Sequence, residues 1–246
     1  MKTVVIIQAR VGSSRLPGKA LLDLAGQTVL GHTVMRALRI EGVDEVVVAT
    51  TVEERDDAVV REAERLGVPC FRGSEHDVLS RYLGAARRHD ADLIVRITSD
   101  CPLIDPVESA KVVRALVRGQ EDPRPADYAS NGLRRTYPRG LDTEAVTRDA
   151  LERIYALETA PREREHVTLY INEHADDFRR ISVENDEDHG DYRWTVDTPE
   201  DFQLVSEIWR RLAAEGPIIP TRSILALFAR EPALKQINAH IEQKIP

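Results

Sequence analysis

Four β-branched residues in a row at 4–7 give way to a polar, glycine-bearing loop. From 28 to 39 apolar residues recur as Val29, Leu30, Val34 and Leu38, the spacing of one helix face. The alternation then repeats. It predicts strands at 45–50, 70–71 and 93–98 and helices at 56–66, 77–89 and 106–117, the last entered through Pro106 in its first turn. Continuous apolar strands separated by amphipathic helices predict an α/β fold, a mostly parallel sheet flanked by helices on both faces.

Beyond Gly119 the rhythm changes, because 120–126 is polar and carries Pro123 and Pro125, a connection rather than an element. Strands are expected at 128–131 and 141–146, helices at 148–159 and 162–174, and a hairpin from 178–183 and 192–196. A helix at 199–215 and one or two short helices up to residue 245 complete the pattern. The stretch 184–191 holds five carboxylates between two expected strands and reads as a solvated turn.

Composition narrows the function. With 246 residues, 42% of them hydrophobic, the expectation is one domain spanning 1–246. The balance of 34 basic against 42 acidic residues, net −8, excludes a molecule built to coat nucleic acid or an anionic membrane, so any anion site must be local. The longest apolar run, 224–229, has six residues, far short of the roughly 20 that a membrane span needs. The apolar stretch after Lys2 is too short for a secretory signal, and Cys70 and Cys101 form no paired motif; both point to the reducing cytoplasm.

The loop leaving the first strand reads Gln8-Ala9-Arg10-Val11-Gly12-Ser13-Ser14-Arg15-Leu16-Pro17-Gly18-Lys19, with three cations and no acid. Open α/β sheets bind ligands at the carboxyl ends of their strands, and Gly12, Ser13 and Ser14 can bring backbone N–H groups close to phosphate oxygens. The composition suits a triphosphate cradle. It is not a Walker loop, since neither Ser nor Thr follows Lys19, and it lacks the three-glycine dinucleotide fingerprint.

Ala9-Arg10 followed by Gly12 through Lys19 resembles the signature of the cytidylyltransferases that activate acidic sugars, the family of the 3-deoxy-manno-octulosonate and acylneuraminate enzymes, and within it the SpsF-like branch. Three further segments match in order: 47–51, Thr98-Ser99-Asp100-Cys101-Pro102-Leu103-Ile104-Asp105, and Val196-Asp197-Thr198-Pro199-Glu200-Asp201. The resemblance covers residues 1 to about 210. It implies a nucleotide-diphospho-sugar transferase type of Rossmann-like sheet, with a nucleotide-binding half (1–119), an acceptor and metal half (126–210) and C-terminal helices (217–246). It implies CTP as donor, with Arg15 and Lys19 toward the β and γ phosphates and the cytosine against the first loop and early strand ends. Ala9, Arg10, Thr51, Ser74 and Arg81 are then candidates by position. The family is commonly dimeric, and Ile224, Leu225, Leu227 and Phe228 offer either a dimer face or a surface that packs on its own sheet.

Nucleotidyl transfer needs an in-line acceptor oxygen, neutralised phosphates and a divalent metal. Asp100 and Asp197 each follow an expected strand and can converge on one Mg²⁺, which takes only one or two protein carboxylates; the resemblance implies the same pair. Asp197 also begins a helix well, so it competes with Thr198 for the capping role. Cys101 departs from the family, whose sugar-acid enzymes often carry Glu there. Arg134, Arg135 and Arg139 fall within six positions around Tyr137, which points to a strongly anionic acceptor. Asn131, Asp142 and His166 complete the acceptor candidates, the latter two in segments that resemble the family's acceptor pocket. A sugar acid calls for one arginine among amides and hydroxyls, whereas a small phosphonate such as phosphonoformate calls for two or three guanidinium groups. A glycosyltransferase would carry Asp-x-Asp where Asp100-Cys101-Pro102 stands. A transferase using another nucleotide and a non-catalytic nucleotide-binding regulator are the remaining alternatives.

Overall fold

The computed structural model describes residues 1–157 and 159–243. The first half alternates as expected: β1 (Thr3–Gln8), a small ribbon of β2 (Asp23–Leu24) and β3 (Gln27–Thr28), α1 (Val29–Ala37), β4 (Glu45–Thr51), α2 (Asp57–Arg65), β5 (Cys70–Gly73), α3 (Val78–Arg88), β6 (Leu93–Thr98) and α4 (Pro106–Gly119). Side-chain caps start three of these helices, α1, α3 and α4. Thr28, Asp77 and Asp105 accept the N–H groups of Gly31, Ser80 and Val107, satisfying donors that a helix end leaves free. There follow β7 (Tyr128–Ser130), β8 (Glu144–Thr147), α5 (Arg148–Ala156), α6 (Pro161–Glu165), α7 (Leu169–Glu173), β9 (Arg180–Ser182), α8 (Pro199–Leu212) and α9 (Thr221–Arg230).

Seven strands form one sheet in the order β5-β4-β1-β6-β8-β7-β9. β8 runs antiparallel to both its neighbours; the other pairings are parallel. Alternate strand residues feed two cores. Val5, Val48 and Val95 cluster with Leu30, Val59 and Val113, while Ile6, Val47 and Ile94 cluster with Leu79, Leu83 and Leu151. A third cluster joins Trp194 and Val196 to Leu204 and Ile208 of α8 and Ile224, Leu227 and Phe228 of α9. The apolar face of α9 is therefore covered by its own chain. No helix among the described residues is long and apolar enough to cross a membrane.

The second half departs from expectation in three places. The hairpin is absent, because β9 pairs in parallel with β7, and 192–196 lies alongside residue 139 through one isolated bridge. Its alternation is real, but burial of Trp194 and Val196 in the third cluster satisfies it without a strand ladder. The strand expected at 141–146 begins only at Glu144, since Asp142 folds back to accept the N–H of Gly140 at 2.9 Å. The helix expected at 162–174 breaks into α6 and α7 around Val167, whose φ of 40° no helix accommodates. The parts of the expected helices on residue 158 and beyond 243 lie outside the described residues.

Candidate active site

The loop after β1 is tied to the sheet edge by Asp56. This buried carboxylate accepts the Val11 N–H at 2.6 Å and the Thr51 hydroxyl. Ser13 donates its N–H to the Val11 carbonyl at 2.9 Å, and Gly18 closes the loop onto the same oxygen at 3.1 Å. Gly18 adopts φ 70°, a conformation that favours glycine. Ala9, Thr51 and the 73–77 loop meet at adjacent strand ends, where Arg10 pairs with Glu75 at 3.6 Å and the buried Arg81 donates to the Ser74 carbonyl. Burial pulls the Arg81 guanidinium below its ordinary range, with Arg10 nearby adding repulsion. Arg10, Ser74, Arg81 and Thr51 are thus gathered at one corner. Gly12 lies beside Arg55 and Glu75 there.

A second cluster joins the two halves of the chain. Lys19 Nζ lies 2.6 Å from Asp100 Oδ2 and 2.6 Å from Asp197 Oδ1, although the two aspartates are 97 residues apart in sequence. Arg15 and Arg193 each approach Asp197 Oδ2 at 3.1 Å. Burial works to raise the Asp100 carboxyl, but the Lys19 charge and hydrogen bonds from Lys19 and Thr98 outweigh it and hold the group below its usual value. Lys19 is correspondingly raised, its two carboxylate partners overcoming desolvation. Thr198, not Asp197, caps α8, accepting the Asp201 N–H at 3.2 Å, so the Asp197 carboxylate is left for the cluster. Two carboxylates that share one cation-sized point fit a hard divalent ion. No group of three or more His, Cys, Asp or Glu among the described residues offers a fuller cage, which suits an ion that keeps water and phosphate oxygens.

Beyond this cluster opens a cleft of about 740 Å³ that Asp100, Asp197, Arg139, Asp142 and His166 all line. Of the other acceptor candidates, Arg135 alone also lines it. Asn131 is buried and spends its amide on the Leu141 carbonyl and the Thr143 N–H, both at 2.8 Å. Tyr137 is buried with its hydroxyl on Glu108 at 2.8 Å, and Arg134, 77% exposed, pairs outward with Glu184. Arg135 lines the cleft but is neutralised by Asp142 at 2.6 Å. Arg139 forms no ion pair with the described residues, and burial followed by repulsion from Arg135 lowers its pKa. Burial also lowers that of His166, Glu165 opposing it and Arg96 and Arg162 reinforcing it.

The cleft floor was not read from sequence. Register places Arg96 of β6 opposite Glu144 of β8, and Glu144 opposite Ser130 of β7, a polar row across three strands. Glu144 is ion-paired with Arg96 and accepts the hydroxyls of Tyr128 at 2.7 Å and Thr168 at 2.9 Å. Against its burial, these partners keep it ionised. One signal was present: Arg96 interrupts an otherwise apolar strand, and a charge at such a position needs a buried partner.

The profile of the cytidylyltransferase family matches residues 4–243. The chain belongs to that family. This cytidylyltransferase is a nucleotidyltransferase and is similar along almost its whole length to several relatives. The spore coat polysaccharide biosynthesis protein SpsF of Bacillus subtilis is 33% identical over 92% of this chain and 94% of its own. The 3-deoxy-manno-octulosonate cytidylyltransferase of Maricaulis maris is 30% identical over 89% of this chain and 100% of its own. The solved structure of a cytidylyltransferase from Leptospira borgpetersenii superposes with a TM-score of 0.90 at 34% identity, covering 100% of this chain and 99% of the other.

Proposed function

We propose that this cytidylyltransferase joins CMP from CTP to a sugar acid and releases pyrophosphate, with Mg²⁺ held by Asp100 and Asp197. The convergence of those carboxylates with Lys19 and Arg15 at the mouth of the cleft carries the reading. In the reaction an acceptor hydroxyl gives its proton to solvent, its oxygen forms a bond to the α-phosphorus, and the bond from that phosphorus to the α–β bridging oxygen breaks to release pyrophosphate. Bound Mg²⁺ supplies neutralisation of the phosphate charge that builds on the departing pyrophosphate. Arg15 and Lys19 orient the β and γ phosphates, and Arg10 with Ser74 and Arg81 flanks the base corner. Residues 1–119 provide the nucleotide half and 126–210 the acceptor half of one domain, working in the cytoplasm, where Cys70 and Cys101 stay as free thiols.

Charge accounting supports the acceptor class. Of the three-arginine stretch, Arg134 faces outward and Arg135 is paired, so Arg139 is the member left to a carboxylate, while Arg180, also in the lining, donates to the Asn172 carbonyl at 3.0 Å. Ser130, Thr168 and Asn172 line the rest, groups suited to hydroxyls, and the volume exceeds what a small phosphonate needs. The names of the relatives, a polysaccharide biosynthesis protein and a 3-deoxy-manno-octulosonate cytidylyltransferase, support the same class.

Pyrophosphate release should be measured with CTP, UTP, ATP and GTP against 3-deoxy-manno-octulosonate, N-acetylneuraminate and phosphonoformate. Release with CTP and a sugar acid is expected, falling at least about a hundredfold in Asp100→Asn or Asp197→Asn, on the order of 3 kcal/mol of transition-state stabilisation. Turnover with phosphonoformate alone would replace the acceptor assignment, and turnover with UTP alone the donor assignment.

A further inference from the structure

Asp197 is not aimed by its own loop alone. Four residues on, Asp201 is fully buried and gathers five hydrogen bonds. Its Oδ1 accepts Arg193 Nε at 2.9 Å and Asn238 Nδ2 at 2.8 Å; its Oδ2 accepts Arg193 Nη2 at 2.9 Å and the backbone N–H groups of Asp197 at 3.1 Å and Thr198 at 3.2 Å. The same Arg193 Nη2 reaches Asp197 Oδ2 at 3.1 Å, which leaves Asp197 Oδ1 directed at the shared cation point beside Asp100. Asn238, beyond the last helical turn, also donates to the Arg193 carbonyl at 3.0 Å.

We propose that Arg193 and Asp201, fixed by Asn238 from the C-terminal segment, are positioning residues that set the Asp197 carboxylate for metal binding. The inference rests on the metal reading above. An aspartate carboxylate turns about two side-chain torsions and swings freely unless both its backbone and its second oxygen are held; Asp201 holds the backbone amide and Arg193 the oxygen. The planar fork grips both oxygens of Asp201, Nε on Oδ1 and Nη2 on Oδ2, while Nη2 also reaches Asp197; a lysine ammonium carries the same charge but cannot reproduce that bidentate grip. The C-terminal segment, some 40 residues past the last recognisable motif, thereby becomes part of the site.

The decisive variant is Arg193→Lys, because it conserves charge and removes the fork. Mn²⁺ titrated into the full-length protein, followed by loss of the free-ion paramagnetic resonance signal, should show half-saturation shifted upward about tenfold, the scale of lost outer-shell support. Asn238→Ala should shift it the same way by less, with the KM for the acceptor unchanged in both. Asp201→Asn leaves Arg193 buried without its partner and is expected to lose fold stability as well, so it does not decide. A folded Arg193→Lys protein with wild-type Mn²⁺ half-saturation, even with a lowered melting temperature, overturns the positioning role. Asp197→Asn is the reference: if it too leaves Mn²⁺ binding unchanged, the metal reading itself fails, whereas weakened binding there beside normal binding in Arg193→Lys rejects the positioning alone.

Discussion

Lys19 stands where two carboxylates, brought together from opposite halves of the chain, need a cation. Two anions at such separation repel strongly in a partly desolvated setting, so the cluster is stable only with a positive charge between them. Replacing Lys19 with Met should therefore strengthen Mn²⁺ binding by the nucleotide-free protein, by about tenfold on Coulombic grounds, while turnover with CTP falls. Unchanged Mn²⁺ affinity would show that Lys19 does not compete for the carboxylates. The neighbouring Cys101 plays no acidic part: burial first, then Asp100, pushes its thiol well above its ordinary pKa. The position where sugar-acid enzymes often carry Glu is here a neutral group beside Asp100, with Sγ 3.6 Å from Oδ1.

At the level of elements, the site depends on irregular segments held against one another. Gly140 is the clearest case. Its φ is 100°, and a Cβ there would lie 2.6 Å from Thr195 N and from the Trp194 carbonyl carbon, both backbone atoms that cannot turn aside. Gly140→Ala should destabilise the fold by about 2–4 kcal/mol in urea unfolding, combining left-handed strain with overpacking. It should also raise the acceptor KM, because Arg139 and the segment leading to Asp197 part company. A stable variant with normal kinetics would show that the contact is not needed. Val167 plays a comparable part between α6 and α7, where its φ of 40° turns His166 and Thr168 into the cleft.

Across the whole molecule, a polar seam joins α1 to the C-terminal cluster. His32 Nε2 lies 2.6 Å from the Leu24 carbonyl, its ring sits 4.2 Å from that of Trp209, and Arg36 Nη1 donates to the carbonyls of Ile104 and Ile219, each at 3.2 Å. Burial, then the nearby Arg36, leaves the His32 pKa below the ordinary 6.5, with the Leu24 hydrogen bond opposing. The folded state thus binds fewer protons than the unfolded chain just below that pH. The contribution is present above about pH 6.5 and is lost as pH falls from there through the folded-state value. Urea midpoints at pH 7.5 and 5.5 should fall further for the wild type than for His32→Gln, which does not titrate. Equal falls would remove His32 from the pH response.

The sequence by itself determined the parallel half of the sheet, because uninterrupted β-branched runs and capped amphipathic helices allow few other arrangements. It also determined the family, through motifs at the carboxyl ends of strands where close backbone geometry restricts residue choice. Asp100, Asp197 and Lys19 were legible for that reason. The order and direction of β7, β8 and β9 were decided only by tertiary structure, since three- and four-residue strands carry too little periodicity to fix a partner. The same holds for the fate of the basic stretch. Arg134, Arg135 and Arg139 look alike in sequence, yet one faces solvent beside Glu184, one is spent on Asp142, and one is left to the cleft. Whether a charge is paired depends on how the chain folds back, over a few residues for Arg135 with Asp142 and Arg193 with Asp201 and across strands for Arg96 with Glu144, and no helix or strand periodicity encodes those meetings.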